Sequence, residues 1–216
     1  MRIIGLVGRR GVGKNFVADR IEEAVGRKHI EKAAFADPIK RFAIDVLGLD
    51  EKLVYGNDLD KSHCTHYKWE DMPAYLFAGP IQKNRDRNKG EYLTIRDILQ
   101  IVGTEFGRDI WGGDIWIRAM ENRLNKSKAS IFLITDVRFP NEAEAIRKWG
   151  GKIWRVEGPQ RGSPGASKDP HPSEALADGI EADATVLNEY GTTASLMRKL
   201  VKSLLQLYGQ FRLWGK

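Results

Sequence analysis

Gly8-Arg9-Arg10-Gly11-Val12-Gly13-Lys14 follows the apolar run Ile3-Ile4-Gly5-Leu6-Val7 and leads straight into residues 14–27, where Phe16, Val17, Ile21 and Val25 share one helical face. A glycine-bounded apolar run reads as a strand buried on both faces. Strand, then G-x-x-x-x-G-K, then helix is the context in which that spacing builds an anion nest: glycines let successive backbone N–H groups turn inward, and the helix N-terminus adds partial positive charge. Lys14 reaches the β and γ phosphates of a nucleoside triphosphate. The candidate triphosphate contacts are Arg9, Arg10, Gly11, Val12, Gly13, Lys14, Asn15 and Phe16.

The position after the lysine ordinarily carries Ser or Thr as a magnesium ligand, and here it is Asn15 followed by Phe16. Either the Asn15 amide oxygen faces Mg²⁺ weakly, directly or through water, or Asn15 only caps the helix. In the first case the metal rests mainly on the triphosphate, with a carboxylate such as Asp136 or Asp37 behind it.

Outward from the loop, apolar runs and amphipathic stretches alternate. Ala33–Ala36 reads as a second strand, stopped by Asp37-Pro38, with a helix through Leu47. Residues 50–92 are polar and aromatic and read as an insertion rather than a domain. Thr94-Ile95-Arg96-Asp97 resembles a capping box opening a helix that ends near Gly103 or Gly107. Asp114–Leu124 is helical, Ser130–Thr135 a strand, Asn141–Trp149 a helix closing at Gly150-Gly151, Lys152–Val156 and Ala184–Leu187 strands, and Thr193–Leu207 a final helix. This alternation predicts an α/β, three-layer P-loop fold: five parallel strands with helices on both faces, in one domain over residues 1–216. Ligands of such sheets gather at the carboxyl ends of the strands, so Asp37, Asp136, Glu157 onward and Asn188 carry weight.

Composition narrows the class. The chain is 42% hydrophobic and 30% charged, with net charge +6 and one cysteine, Cys64. It can bury a core, has no disulfide framework or multi-cysteine metal site, and is expected in the cytoplasm. No apolar run approaches the ~18 residues of a membrane span. The basic residues are scattered rather than striped, which suits small phosphate-bearing ligands better than a nucleic-acid polymer.

Four further blocks have a recognisable pattern: Phe35-Ala36-Asp37-Pro38-Ile39-Lys40; Leu99-Gln100-x-x-Gly103-Thr104-Glu105-x-Gly107-Arg108; Thr135-Asp136-Val137-Arg138-Phe139-x-Asn141-Glu142; and His171-x-Ser173-Glu174. Together with the glycine loop they resemble the phage-type deoxynucleoside monophosphate kinase family over most of the chain outside 50–92. The resemblance implies a nucleoside-monophosphate-kinase-like fold, ATP with Mg²⁺ as donor, a deoxynucleotide acceptor, and host cytoplasm if the chain is phage-encoded. Family members commonly carry Asp-Thr after the loop lysine, so Asn15-Phe16 departs from them as well.

Phosphoryl transfer needs two polyanions brought together, their repulsion neutralised and water excluded. Arg138 can fork two phosphate oxygens, and the family's arginine here lies at the acceptor; its structural alternative is an ion pair with Glu142. With Lys14 and Arg138, Asp136 completes the candidate catalytic set, either ordering Mg²⁺ or holding Arg138 and a sugar hydroxyl. Acceptor contacts are expected from Asp37, Ile39, Lys40, Trp69, Arg96, Gly103, Trp116, Asp136, Arg138, Phe139, Glu142 and His171. Trp116 aligns with a family position near the base, and segment 50–92 resembles the arm such kinases carry over the acceptor. Residues 157–174 are glycine-rich and basic, as lids are, with Arg161 and Lys168 as cations for the transferring group. His171 lacks partners at metal-ligand spacing. The apolar tail (Leu204, Leu205, Leu207, Phe211, Leu213, Trp214) permits a homodimer. The rival readings are another small-acceptor P-loop kinase, of dephospho-coenzyme A or thymidylate type, and a non-catalytic nucleotide-binding protein.

Overall fold

The computed structural model describes residues 1–72, 88–159, 176–188, 199 and 201–202. In chain order the elements are β1 (Arg2–Val7), α1 (Lys14–Val25), β2 (Ile30–Ala33), α2 (Asp37–Asp45), α3 (Glu51–Tyr55), β3 (Cys64–Lys68), β4 (Tyr92–Thr94) and α4 (Ile95–Ile101). A π-helical stretch, Val102–Arg108, and a single turn, Asp109–Trp111, follow. Then come α5 (Ile115–Lys126), β5 (Ile131–Val137), α6 (Pro140–Lys148), β6 (Lys152–Glu157) and β7 (Ala184–Leu187). The described residues fall into two compact units, one of those in Met1–Phe35 and from Met120 onward, the other of those in Ala36–Ala119.

The first unit holds the expected five-stranded sheet, order β2-β5-β1-β6-β7, with every pairing parallel. Alternation along β1 explains its two covered faces. Ile4 and Leu6 pack with Val17, Ala18 and Ile21 of α1 in one buried cluster. On the opposite face α6 lies so close to Gly5 that a Cβ there would sit 2.7 Å from Ile146 Cδ1. This is the three-layer α/β arrangement of the sequence expectation. The described residues include no helix long and apolar enough to cross a membrane.

Several boundaries differ from expectation. The second strand is Ile30–Ala33, not Ala33–Ala36, because pairing with β5 runs from Ile30↔Ile131 to Ala33↔Ile134; Phe35 is buried from the turn that follows. β5 continues through Asp136 to Val137, so Asp136 sits inside the strand's last turn of the ladder rather than beyond it. The helix begun at Thr94 does not end at Gly103 or Gly107: it widens into the π-helical stretch and stops at Gly112, which adopts φ 95°. The final helix lies outside the described residues apart from Lys199, Val201 and Lys202, which are helical.

The second unit has its own core of Ala43, Leu49, Val54, Trp69, Leu93, Ile95, Ile98, Ile101 and Val102. Within segment 50–92, β3 pairs antiparallel with β4, and Asp50 caps α3 through Lys52 and Leu53 N–H groups. The Thr94–Asp97 capping box forms as read, each residue's side chain taking the other's backbone N–H.

Candidate active site

The phosphate loop occupies the carboxyl end of β1, the central strand, flanked by β5 and β6. Gly13 has φ 92° and stands at the N-cap of α1, a conformation open to glycine at little cost. Lys14 Nζ lies across the loop, donating to Gly8 O at 2.6 Å and Arg9 O at 2.9 Å. Val17 N–H makes the first intrahelical bond, to Gly13 O at 3.0 Å. The preceding N–H groups of Lys14, Asn15 and Phe16 lie in the first turn, where an α-helix has no internal acceptor. A charged loop lysine, glycine-shaped backbone and the open N-terminus of a helix thus converge on one spot suited to a polyphosphate.

Not every loop call survives as written. Asn15 is no helix cap: Gly13 holds that position, without a side-chain cap bond, and Asn15 is exposed one residue inside the helix. Arg9 turns its guanidinium to Asp178, with Nε and Nη2 both bonded to the carboxylate, so only its backbone serves the loop. That arginine holds the Asp178 carboxyl below the usual range. Phe16 packs its ring against the sheet core, with Arg20 over it at 5.3 Å, leaving only backbone for phosphate. Arg10 is half-buried in the loop, between Arg9 and Gly11.

The end of β5, next to β1, carries Asp136 and Arg138. Asp136 Oδ1 accepts the Phe35 N–H at 2.7 Å, tying the chain after β2 to the neighbouring strand end. Arg138 is exposed, and Glu142, its partner in the structural alternative, is engaged differently. Glu142 is buried at 2% exposure; its Oε2 accepts the backbone N–H of Arg138 at 2.9 Å and of Phe139 at 3.2 Å. Glu142 is therefore a support for the corner and not an acceptor contact. Among the described residues no ion pair of the Arg138 guanidinium is seen, and the corner beneath it is held by Glu142. Phe139 takes the N-cap position of α6.

The remaining acceptor calls on described residues fall in the Ala36–Ala119 unit, where four become structural. Trp69 is 5% exposed within that unit's core and offers no open face for a base. Trp116 is 9% exposed; its Nε1 donates to Gly103 O at 2.8 Å, and its ring lies where a Cβ on Gly107 would collide with it. Gly103 accepts that bond and faces Ile39 Cδ1, so its smallness serves packing. Arg96 pairs with Asp58 at 3.0 Å rather than facing phosphate. Lys40 holds its ammonium over the Tyr55 ring at 4.5 Å. Asp37 and Ile39 stand in the first turn of α2. His171, Arg161 and Lys168 lie outside the described residues.

Two further features of this unit stand out, Trp111, one of the aromatics of residues 67–116 that the sequence offers as stacking faces, and Glu105, to which the sequence reading gave no role. Trp111 is 62% exposed, an aromatic on the surface where Trp69 and Trp116 are not. Glu105, within the π-helical stretch, is pushed up to about 7 by burial, with the Asp109 charge acting the same way. In the sequence Glu105 is a carboxylate amid Val102, Gly103 and Gly107, and its partial burial is a tertiary outcome.

No group of three His, Cys, Asp or Glu side chains able to hold a metal occurs among the described residues.

Residues 70–200, more than half of the chain, match the family model described as deoxynucleotide monophosphate kinase. The chain is 30% identical over 201 residues, 87% of its length and 88% of the relative's, to a protein named as a deoxynucleotide monophosphate kinase in Acanthamoeba polyphaga mimivirus. It is 26% identical over 183 residues, 68% of its length and 72% of the relative's, to a deoxynucleoside-5'-monophosphate kinase of Escherichia phage T5. A sugar kinase from Janibacter sp. superposes over 95% of each chain at 12% identity with a TM-score of 0.41.

Proposed function

Because the chain belongs to the deoxynucleotide monophosphate kinase family, we propose that its phosphate loop holds ATP and that Arg138 receives the 5′-phosphate of a deoxynucleoside monophosphate. The reaction is ATP + dNMP → ADP + dNDP. An acceptor phosphate oxygen attacks the γ-phosphorus, the bond to the β,γ-bridging oxygen breaks, and ADP leaves with that electron pair. The attacking group is already an oxyanion, so no general base is required.

Catalysis then rests on placement and charge. Lys14 follows the migrating phosphoryl group, the N–H groups at the start of α1 hold the β phosphate, and Arg138 offsets the acceptor's charge with a planar fork. Asp136, fixed by Phe35, keeps the neighbouring strand end in register with the loop. Asn15, through its amide oxygen, and Asp136 would be the protein groups that hold a magnesium ion carried by the triphosphate, and the ion would supply charge neutralisation there. The unpaired single cysteine, Cys64, fits a reducing compartment such as the cytoplasm.

The observation that carries this reading is Lys14 lying across a glycine loop at the end of the central strand. It is tested by ADP release with each of the four deoxynucleoside monophosphates and ribonucleotide controls. Turnover that depends on a deoxynucleotide acceptor is expected. ATP binding without it would leave the non-catalytic alternative.

A further inference from the structure

We infer that Asn188 is a positioning residue of the phosphate loop, setting the Val12–Gly13 peptide so that the Gly13 N–H faces bound triphosphate; the inference rests on the reading of that loop as the ATP site. Asn188 is the first residue after β7 and is 1% exposed. Its backbone N–H donates to Glu157 O at 2.6 Å, fixing it at the end of β6. From there Nδ2 donates to Val12 O at 2.8 Å in a buried bond spanning 176 positions of sequence. Only the amide nitrogen can donate to a carbonyl, so the orientation of the side chain is settled by its partner.

The contact is close as well as polar. A Cβ added to Gly13 would collide with Asn188 Nδ2, so the amide presses against the loop from its protein side. Every described peptide bond is trans. In a planar trans peptide the C=O and the following N–H point in opposite directions. Holding the Val12 carbonyl inward toward Asn188 therefore aims the Gly13 N–H outward, away from the protein interior and toward the ligand side of the nest.

A space-filling role explains less. Asn188 Oδ1 is buried and has no hydrogen-bond partner among the described residues. Burying an amide half-satisfied is unfavourable, and a leucine of similar size would avoid it. The donor to Val12 is what an apolar side chain cannot supply. Such exceptions to polar satisfaction call for an explanation, and loop alignment provides one.

The test compares wild type, Asn188→Asp and Asn188→Ala by steady-state kinetics from pH 6 to pH 8.5, with thermal melts to confirm folding. Asp keeps the shape but, when ionised, sets an acceptor against Val12 O; protonated, it donates as the amide did. Burial raises a carboxyl's pKa, so the switch falls within the assay range. Arg9, Arg10 and Lys14 of the loop and Arg155 and Glu157 toward the end of β6 are charged groups on the segments that meet Asn188, and all are shared with wild type, whose profile is the reference. At pH 8 Asn188→Asp is expected to raise KM for ATP about tenfold with KM for the deoxynucleotide unchanged, and to recover toward wild type at pH 6. Asn188→Ala, which introduces no charge, is expected to raise KM for ATP about three- to tenfold at every pH. A folded Asn188→Ala protein with wild-type KM for ATP overturns the inference, as does an Asn188→Asp defect that is independent of pH or falls equally on both substrates. Wild type inert toward ATP would overturn the loop reading and this inference with it; active wild type with indifferent variants overturns this inference alone.

Discussion

Gly13 of the phosphate loop and Gly107 of the π-helical stretch are both small residues that make room, but for different guests. Around Gly13 the backbone bends to φ 92° and the nearby polar groups, Lys14 and the first helical N–H groups, converge on a place for a ligand. Around Gly107 the vacated space is filled by Trp116 of the same chain, whose indole bonds to Gly103 O. A glycine in a motif thus marks a close approach, and whether the approaching group is substrate or neighbour depends on what the fold brings there. The expectation is that damage to the first region removes activity with the fold intact, and damage to the second removes stability first.

Lys14→Ala sets the largest contrast. It is expected to lower kcat by roughly 10²–10³-fold or more with little change in melting temperature; normal turnover in the folded variant would end the ATP-site reading. Arg138 extends the same behaviour to the end of β5. Arg138→Ala should lower kcat/KM for the deoxynucleotide about 10- to 100-fold, and Arg138→Lys should fall nearly as far because the planar fork is lost in both. A lysine variant close to wild type in acceptor KM would show that no bidentate clamp exists.

On the other side of the comparison, Trp116→Ala should cost about 3–5 kcal/mol of stability through the cavity it leaves, read as a fall in denaturation midpoint. If it lost acceptor binding while keeping its midpoint, Trp116 would be a ligand platform after all. Glu105 gives the smallest effect, and it has a sign. Burial raises its folded pKa to about 7 from 4.5, so the folded state binds the extra proton between those values. Its contribution to stability is complete below about pH 4.5 and is lost as pH rises through about 7. Glu105→Gln should flatten that part of the stability profile, narrowing the difference in melting temperature between pH 5 and pH 8 by a few degrees; an unchanged profile would place the titration elsewhere.

The family blocks themselves divide along the same line. Arg138 is read as a phosphate clamp because a strand-end arginine two residues past an aspartate has few structural uses; the fold leaves the residue exposed, and the Arg138→Lys variant tests the reading. Glu142, four residues on, reads equally as an acceptor contact or a corner support, and only its 2% exposure and two backbone bonds decide for support. Arg96 and Trp69 failed for a related reason: cation and aromatic are residue types that serve ligand and core alike, and their partners, Asp58 for Arg96 and the core around Leu93 for Trp69, are tens of residues distant in sequence.

Local chemistry therefore determined the strand–loop–helix of residues 2–25, the capping box at Thr94–Asp97 and the parallel alternation, because glycine conformations, caps and apolar periodicity act over a few residues. Tertiary structure alone decided that Arg9 faces Asp178, that helix α4 widens rather than ends at its glycines, and that Asn188 reaches back to Val12. Each of those outcomes rests on a hydrogen bond or close packing between groups far apart in the chain, or on the whole set of neighbours that fixes a helix's pitch, and no short window of sequence contains both halves of such a contact.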